Sequence, residues 1–214
     1  RGVRIGVAEN FGHGDCDGEV AAAYRQSLDA LVARGATLVD VVFPDPARVQ
    51  ALAMTVLQAE PAALHRAAIG TRPGEYSPQV LARLQSGLGI PAHEYIDALR
   101  ARSPLLERVE HEVFAHCDAL HAPVLTFPVP TRAETDVGGG PRMRELLAAL
   151  GRWMRPINYL GLPALALPAG AAGGMPVGFQ LVGPKFSEAT LFGIGAAYEA
   201  ERGFTHWHPK IAVS

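Results

Sequence analysis

The chain has 214 residues, 49% of them hydrophobic and 19% charged, with Lys and Arg numbering 19 against 21 Asp and Glu. That is a globular composition with enough apolar surface for one core, and a near-neutral balance without a basic run argues against a nucleic-acid or anionic-membrane surface. Cys16 and Cys117 are too few for a disulfide framework and have no CxxC or Cys/His spacing around them, and no stretch of about 18 apolar residues exists to span a bilayer, so a reducing cytoplasm is the expected compartment.

In chain order, Val3 to Ala8 (VRIGVA) predicts a buried strand that begins almost at the first residue, so the chain reads as starting within a longer protein. A Gly-rich acidic turn follows. Asp17 stands where an N-cap is wanted, Val20, Tyr24, Leu28, Leu31 and Val32 recur at helical spacing, and Gly35 sits at the C-terminal left-handed position. Thr37 to Phe43 is the next strand. Strand, helix and strand in one compact segment indicate an α/β layered fold.

From Pro44 to Asp118 the pattern is helical, over 47–69, from Ser77 to Gln85, and from Pro91 to about His116. The last of these presents Tyr95, Leu99, Leu106, Val109 and Val113 on one face, with a kink expected at Pro104. Ala119 to Leu125 reads as a strand, 132–140 as a surface loop, and Met143 to Trp153 as a short helix. Ala164 to Leu167 and Val177 to Val182 are strand candidates, and Ser187 caps a closing helix carrying Leu191, Ile194 and Tyr198.

Motifs of chemistry are sparse. None of the six serines lies in GxSxG, and no GxGxxG or P-loop string follows a strand. His111, Glu112 and His116 form HExxxH, whose five-residue step turns the two imidazoles about 140° apart on an ideal helix, so a solvated face is the expectation. His206 and His208 flank Trp207 with no third ligand near in sequence. No metal or cofactor is implied.

The later strings carry more. NYLGLPALALPAG (Asn158 to Gly170), followed by MPVGFQLVG (Met175 to Gly183), resembles the paired C-terminal motif of the amidase signature family. RIGVAENF resembles the strand that follows the signature region in that family, EYSPQVLARLQSG and CDALHAPVLTFPVP its middle helix and next strand, and FTHWHP its closing tail. The resemblance covers nearly the whole chain in order. It implies an α/β fold with a mixed β-sheet flanked by helices, and amide hydrolysis by a Ser, cis-Ser, Lys triad with a backbone oxyanion hole. Those catalytic parts belong to the family's N-terminal half. Here the Gly/Ser-rich signature is lacking and the two lysines, Lys185 and Lys210, stand in other contexts, so 1–214 is expected to be a single, incomplete amidase-like domain with no catalytic residue of its own.

By the same resemblance the end of PALALPAG, Ala169 and Gly170, lines the acyl side of a pocket. Gly170 is therefore expected to face a cleft. Arg83 in ARLQSG is similar to an arginine that helps hold the substrate carboxylate in tRNA-dependent amidotransferases, with a helix-surface arginine as the plain alternative. Asn158 reads either as a local cap or as a pocket hydrogen-bonder. Met154 and Ala169 stand where many members have Thr and Cys, which bears on the substrate. Two functional readings follow: the C-terminal portion of a hydrolase for a small carboxamide, partnered by an N-terminal half of the same protein or by a second copy, or a non-catalytic amidase-like module. Exposed apolar area separates them.

Overall fold

The computed structural model describes residues 2–138 and 140–204; the FTHWHP tail beyond Phe204, with His206, His208 and Lys210, lies outside the described residues. β1 (Arg4–Val7) leads through α1 (Gly18–Ala33) to β2 (Thr37–Asp40). α2 (Pro46–Thr71), α3 (Pro78–Gly87) and α4 (Ala92–Val109) intervene before β3 (Ala119–Pro123). α5 (Arg132–Thr135), α6 (Pro141–Leu150) and α7 (Arg155–Leu160) precede the hairpin of β4 (Ala164–Ala172) and β5 (Met175–Val182), and α8 (Glu188–Arg202) closes the described chain. The strands form one mixed sheet in the order β2-β1-β3-β5-β4, with β1 parallel to β2 and β3 and the pairs β3–β5 and β4–β5 antiparallel. The α/β architecture read from the sequence is the one observed.

Side chains alternate across the sheet and build two cores. Leu120, Ala122 and Val182 face α2, α4 and α7, where Val49, Ala53, Val109, Ile157 and Leu160 close over them. Ala119, Phe179 and Leu181 face α1 and α8, where Val20, Tyr24, Leu31, Leu191 and Tyr198 pack. Three buried polar attachments lock the layers. The Tyr24 hydroxyl lies 2.6 Å from Leu125 O and 2.9 Å from Gly178 O. The Gln180 amide donates to Pro123 O and Trp153 O, and Tyr198 donates to Pro168 O at 2.6 Å.

Several sequence expectations shift. The buried positions of α4 are Ala98, Leu105 and Val109, while Leu99 is exposed, because α7 approaches closely enough for Tyr159 to donate to Ala98 O. α4 continues through the solvent-facing Pro104, and the departure from α geometry comes later, as a π-type turn over Glu110–Phe114. Residues 132–140 contain α5, whose capping box pairs the Thr131 hydroxyl with the Glu134 backbone and the Glu134 carboxylate with the Thr131 backbone. Asp17 and Ser187 occupy N-cap positions without side-chain cap bonds, whereas Ser77 accepts from Val80 N. β4 runs on to Ala172, past Pro168, which an edge strand tolerates because its outward N–H position needs no partner.

Candidate functional site

β1 lies between β2, reached through α1, and β3, reached through the α2–α4 block. That reversal is a switch point, where crevices open outside the carboxyl ends of parallel strands. The loop after β1 is fixed tightly there. Asn10 exchanges two hydrogen bonds with the backbone of Phe43, at 2.8 and 3.0 Å. Phe11 stacks on Phe43 at 4.1 Å and meets Trp153 edge-on at 5.3 Å. Gly12 has φ 99°, and a Cβ there would stand 3.1 Å from both Pro123 and Trp153, so only glycine lets the loop lie this close.

Three adjoining clefts run from this loop along α2, α6 and α7. One of 560 Å³ is walled by Asn10, Asp15, Gln50, Glu145, Arg152 and Trp153. It shares Ala148 with a 250 Å³ cleft that holds Arg83, Arg144 and Arg155 and has no carboxylate in its lining. That cleft shares Leu57 and Arg155 with a third, of 210 Å³, lined by Glu60, Arg102, Asn158 and Tyr159.

Arg155 is the hinge of the groove. Its Nη1 donates to Ala148 O at 3.2 Å and its Nη2 to Leu147 O, so the cation closes the carbonyl end of α6. With its amide turned to satisfy both neighbours, Gln50 accepts from Arg155 at 3.1 Å and donates to Arg152 O at 3.2 Å. Burial, and secondarily the nearby Arg83, hold the Arg155 guanidinium below its ordinary value. A half-buried cation with carbonyl partners, beside further arginines, leaves N–H groups suited to an anionic or carbonyl oxygen. Arg102 adds a buried Nε without a partner, its guanidinium 5.3 Å from the Tyr159 ring centre.

The sequence-derived residues divide between two places. Arg83 and Asn158 flank Arg155 in adjoining clefts; Asn158 sits exposed on α7, and its carbonyl accepts from Gly161 N. Ala169 and Gly170 lie apart from them, buried on the α1/α8 side. Ala169 O accepts from Arg202 at 3.0 Å, and a Cβ on Gly170 would contact Ala23 at 3.5 Å. Their strand neighbours Leu167, Pro168, Val177 and Gly178 line a separate, apolar cleft of 360 Å³ with Tyr24, Val124, Leu125 and Phe127. Arg155, Arg102 and Gln50 carry no signal in the sequence. The string RPIN has no periodic pattern, and the value of Arg155 comes from the end of α6.

Lys185 pairs with Glu110 at 3.1 Å, and Glu112 of HExxxH pairs with Arg108 at 2.9 Å. Among the described residues no three His, Cys, Asp or Glu side chains converge as a metal site, and no helix is long and apolar enough to cross a membrane.

The mixed sheet flanked by helices makes this an α/β protein, with a polar groove beside the loop that follows β1. More closely, the chain belongs to the amidase family: a family model described as Amidase matches residues 1–192. It is 30% identical over 213 residues to an amidase of Pseudomonas putida, covering 99% of this chain and 45% of that protein. It is 32% identical over 236 residues to a subunit of the glutamyl-tRNA(Gln) amidotransferase of Neisseria meningitidis serogroup C (strain 053442), covering 98% of this chain and 47% of that one. A solved amidase structure superposes with TM-score 0.80 at 30% identity, over 94% of this chain and 46% of that chain. A 6-aminohexanoate cyclic dimer hydrolase, at 22% identity and TM-score 0.77, shares the fold, over 94% of this chain and 45% of that chain. The chain thus spans about half the length of the curated relatives it matches.

Proposed function

We propose that this chain is the pocket-wall portion of an amidase-type hydrolase acting on a small carboxamide, working with an N-terminal half that supplies the serine, second serine and lysine. One observation carries the reading: Arg83 and Asn158, 75 residues apart in sequence, come to the two sides of Arg155 in a groove that leads to the switch-point loop. In this reading Arg83 and Arg155 hold an anionic or carbonyl end of the substrate, Asn158 hydrogen-bonds it, and Ala169 and Gly170 seat the β4 wall on α1. The chain's own part is binding and orientation, which lower the barrier by presenting the amide in a reactive geometry.

The module reading fares less well on exposed apolar area. In the hydrolase reading Phe186, 91% exposed, Leu64, 82%, Val42, 70%, and Phe192, 65%, are side chains that an N-terminal half can cover. The test is turnover of simple aliphatic and aryl amides by the purified chain and by a form extended to the length of the relatives. The expected outcome is no turnover by the chain alone and turnover by the extended form. Hydrolysis by the chain alone, abolished by replacing one of its own serines, would overturn the proposal.

A further inference from the structure

His121 and Ser27 are buried polar residues in a core otherwise made of apolar side chains, and they belong to one hydrogen-bonded line. The His121 ring is stacked at 4.4 Å on Phe179 of β5 and lies edge-on to Tyr24 of α1 at 5.9 Å. Its Nε2 is 2.9 Å from Ser27 Oγ, and its Nδ1 is 3.2 Å from Nε2 of His13, on the loop after β1. The same His13 nitrogen is 3.0 Å from the carbonyl oxygen of His121.

These distances fix the protons. A carbonyl oxygen only accepts, so His13 Nε2 carries a hydrogen, shared between His121 O and His121 Nδ1. His121 Nδ1 is therefore bare, and its ring hydrogen sits on Nε2 and donates to Ser27 Oγ. The Ser27 hydroxyl donates onward to Tyr24 O at 2.8 Å. Both rings are neutral and every donor in the line is used. A second proton on His121 has only Nδ1 to occupy, where it would meet the N–H of His13 head-on.

We propose that the His13–His121–Ser27 line is an acid-released latch that fastens the 9–17 loop, and with it the Asn10 and Asp15 wall of the 560 Å³ cleft, to β3. Around it, Glu9 is the charged group acting on His13, while α1 presents Ser27 and Tyr24, and β5 presents Phe179. Cys16, also on the loop, spends its thiol on Gly12 O. Burial pushes both imidazoles below the ordinary value of 6.5, His121 the further, with His13 adding to the effect on His121. The folded state therefore binds fewer protons than the unfolded one. The latch is at full strength above about pH 6.5 and weakens as pH falls below it. It does not depend on the amide-hydrolase reading.

The experiment is amide hydrogen exchange across residues 9–17, corrected for intrinsic rates, with nitrogen-15 spectra of the imidazoles and melting temperatures from pH 8 to pH 5. Opening of the loop is expected to rise below pH 6.5 ahead of the β3 amides, by about tenfold for each unit by which His121 is held below its ordinary value. Both rings should appear as neutral Nε2–H forms at pH 7. In His121→Gln one side-chain amide can donate to Ser27 and accept from His13 without titrating. It should melt lower at pH 8 but with a shallower acid slope. Should that variant not fold, His13→Gln, which keeps a donor at the same place and leaves His121 to titrate, should lose only the His13 share of the acid slope. An acid slope unchanged in the folded variant, or a His121 that titrates near 6.5 in the native protein, would overturn the latch.

Discussion

On the α1/α8 side of the sheet an arginine is spent on structure: Arg202 donates to Ala169 O and reaches Gln26, tying helix to strand across a close-packed core. On the α2/α7 side Arg83, Arg144 and Arg155 line a cleft without a carboxylate; a buried Nε without a partner occurs on both sides, in Arg102 and in Arg202. The same five strands thus support one face whose cleft is apolar and one whose clefts are polar. Packing sets the first. The second gathers three guanidinium groups in a cleft whose lining has no carboxylate.

Substitutions can break or sharpen that contrast. The largest effect is expected at Phe179, fully buried between His121 and Tyr198 in the α1/α8 core. Phe179→Ala should cost about 3–5 kcal/mol in denaturant unfolding, and a loss under about 1 kcal/mol would show that this face is not the tight one. Next, Gly170→Val adds methyls against Ala23, already 3.5 Å from the first added carbon. Overpacking should cost about 1–3 kcal/mol. In the extended protein the preference between two amides of different acyl length should not change. Altered selectivity at intact stability would join Gly170 to the groove after all.

Smaller in stability, and different in kind, are the groove arginines. Arg155→Met loses the bonds to the end of α6 and should cost about 1–2 kcal/mol. Arg83→Gln should leave the melting temperature within error yet raise KM about tenfold in the extended enzyme. If Arg83→Gln changed stability and left KM alone, the plain reading of a helix-surface arginine would stand.

Much of the layout is legible in the chain. VRIGVA, TLVDVVF and the two closing apolar runs carry strand signals strong enough to place β1, β2, β4 and β5, and the spacing in α1 marks its buried side at Val20, Tyr24 and Leu31 but not at Val32, which is 45% exposed. The face of α4 differs by one position because hydrophobicity favours Tyr95 and Leu99, whereas close approach by α7 favours a small residue, Ala98. The α5 turn has its signal in Thr131-x-x-Glu134, hidden within a Gly-rich stretch. For the proposed site, family resemblance suggests Arg83 and Asn158 but not Arg155, which the structure places between them. An arginine that serves a helix terminus and a cleft at once has no local pattern, since both partners come from tertiary structure.

The β4–β5 hairpin turns through Gly173 and Gly174, both at positive φ, 57° and 77°, with Ala172 paired to Met175, and Glu19 of α1 accepts from Gly173 N at 2.7 Å. Positive φ at both central residues matches the turn whose twist suits two antiparallel strands. That gives the sheet one pair that closes over two residues, whereas Ile5 must find Ala119 across more than a hundred. Loop-closure entropy then orders assembly in time: the hairpin zips within about ten microseconds, and the parallel centre of the sheet waits for the intervening helices to collapse. Stopped-flow refolding of Gly174→Ala, strained in this turn, tests that order, since a slowed folding limb with an unchanged unfolding limb marks the hairpin as formed at the barrier, and the reverse would place its closure after the parallel strands.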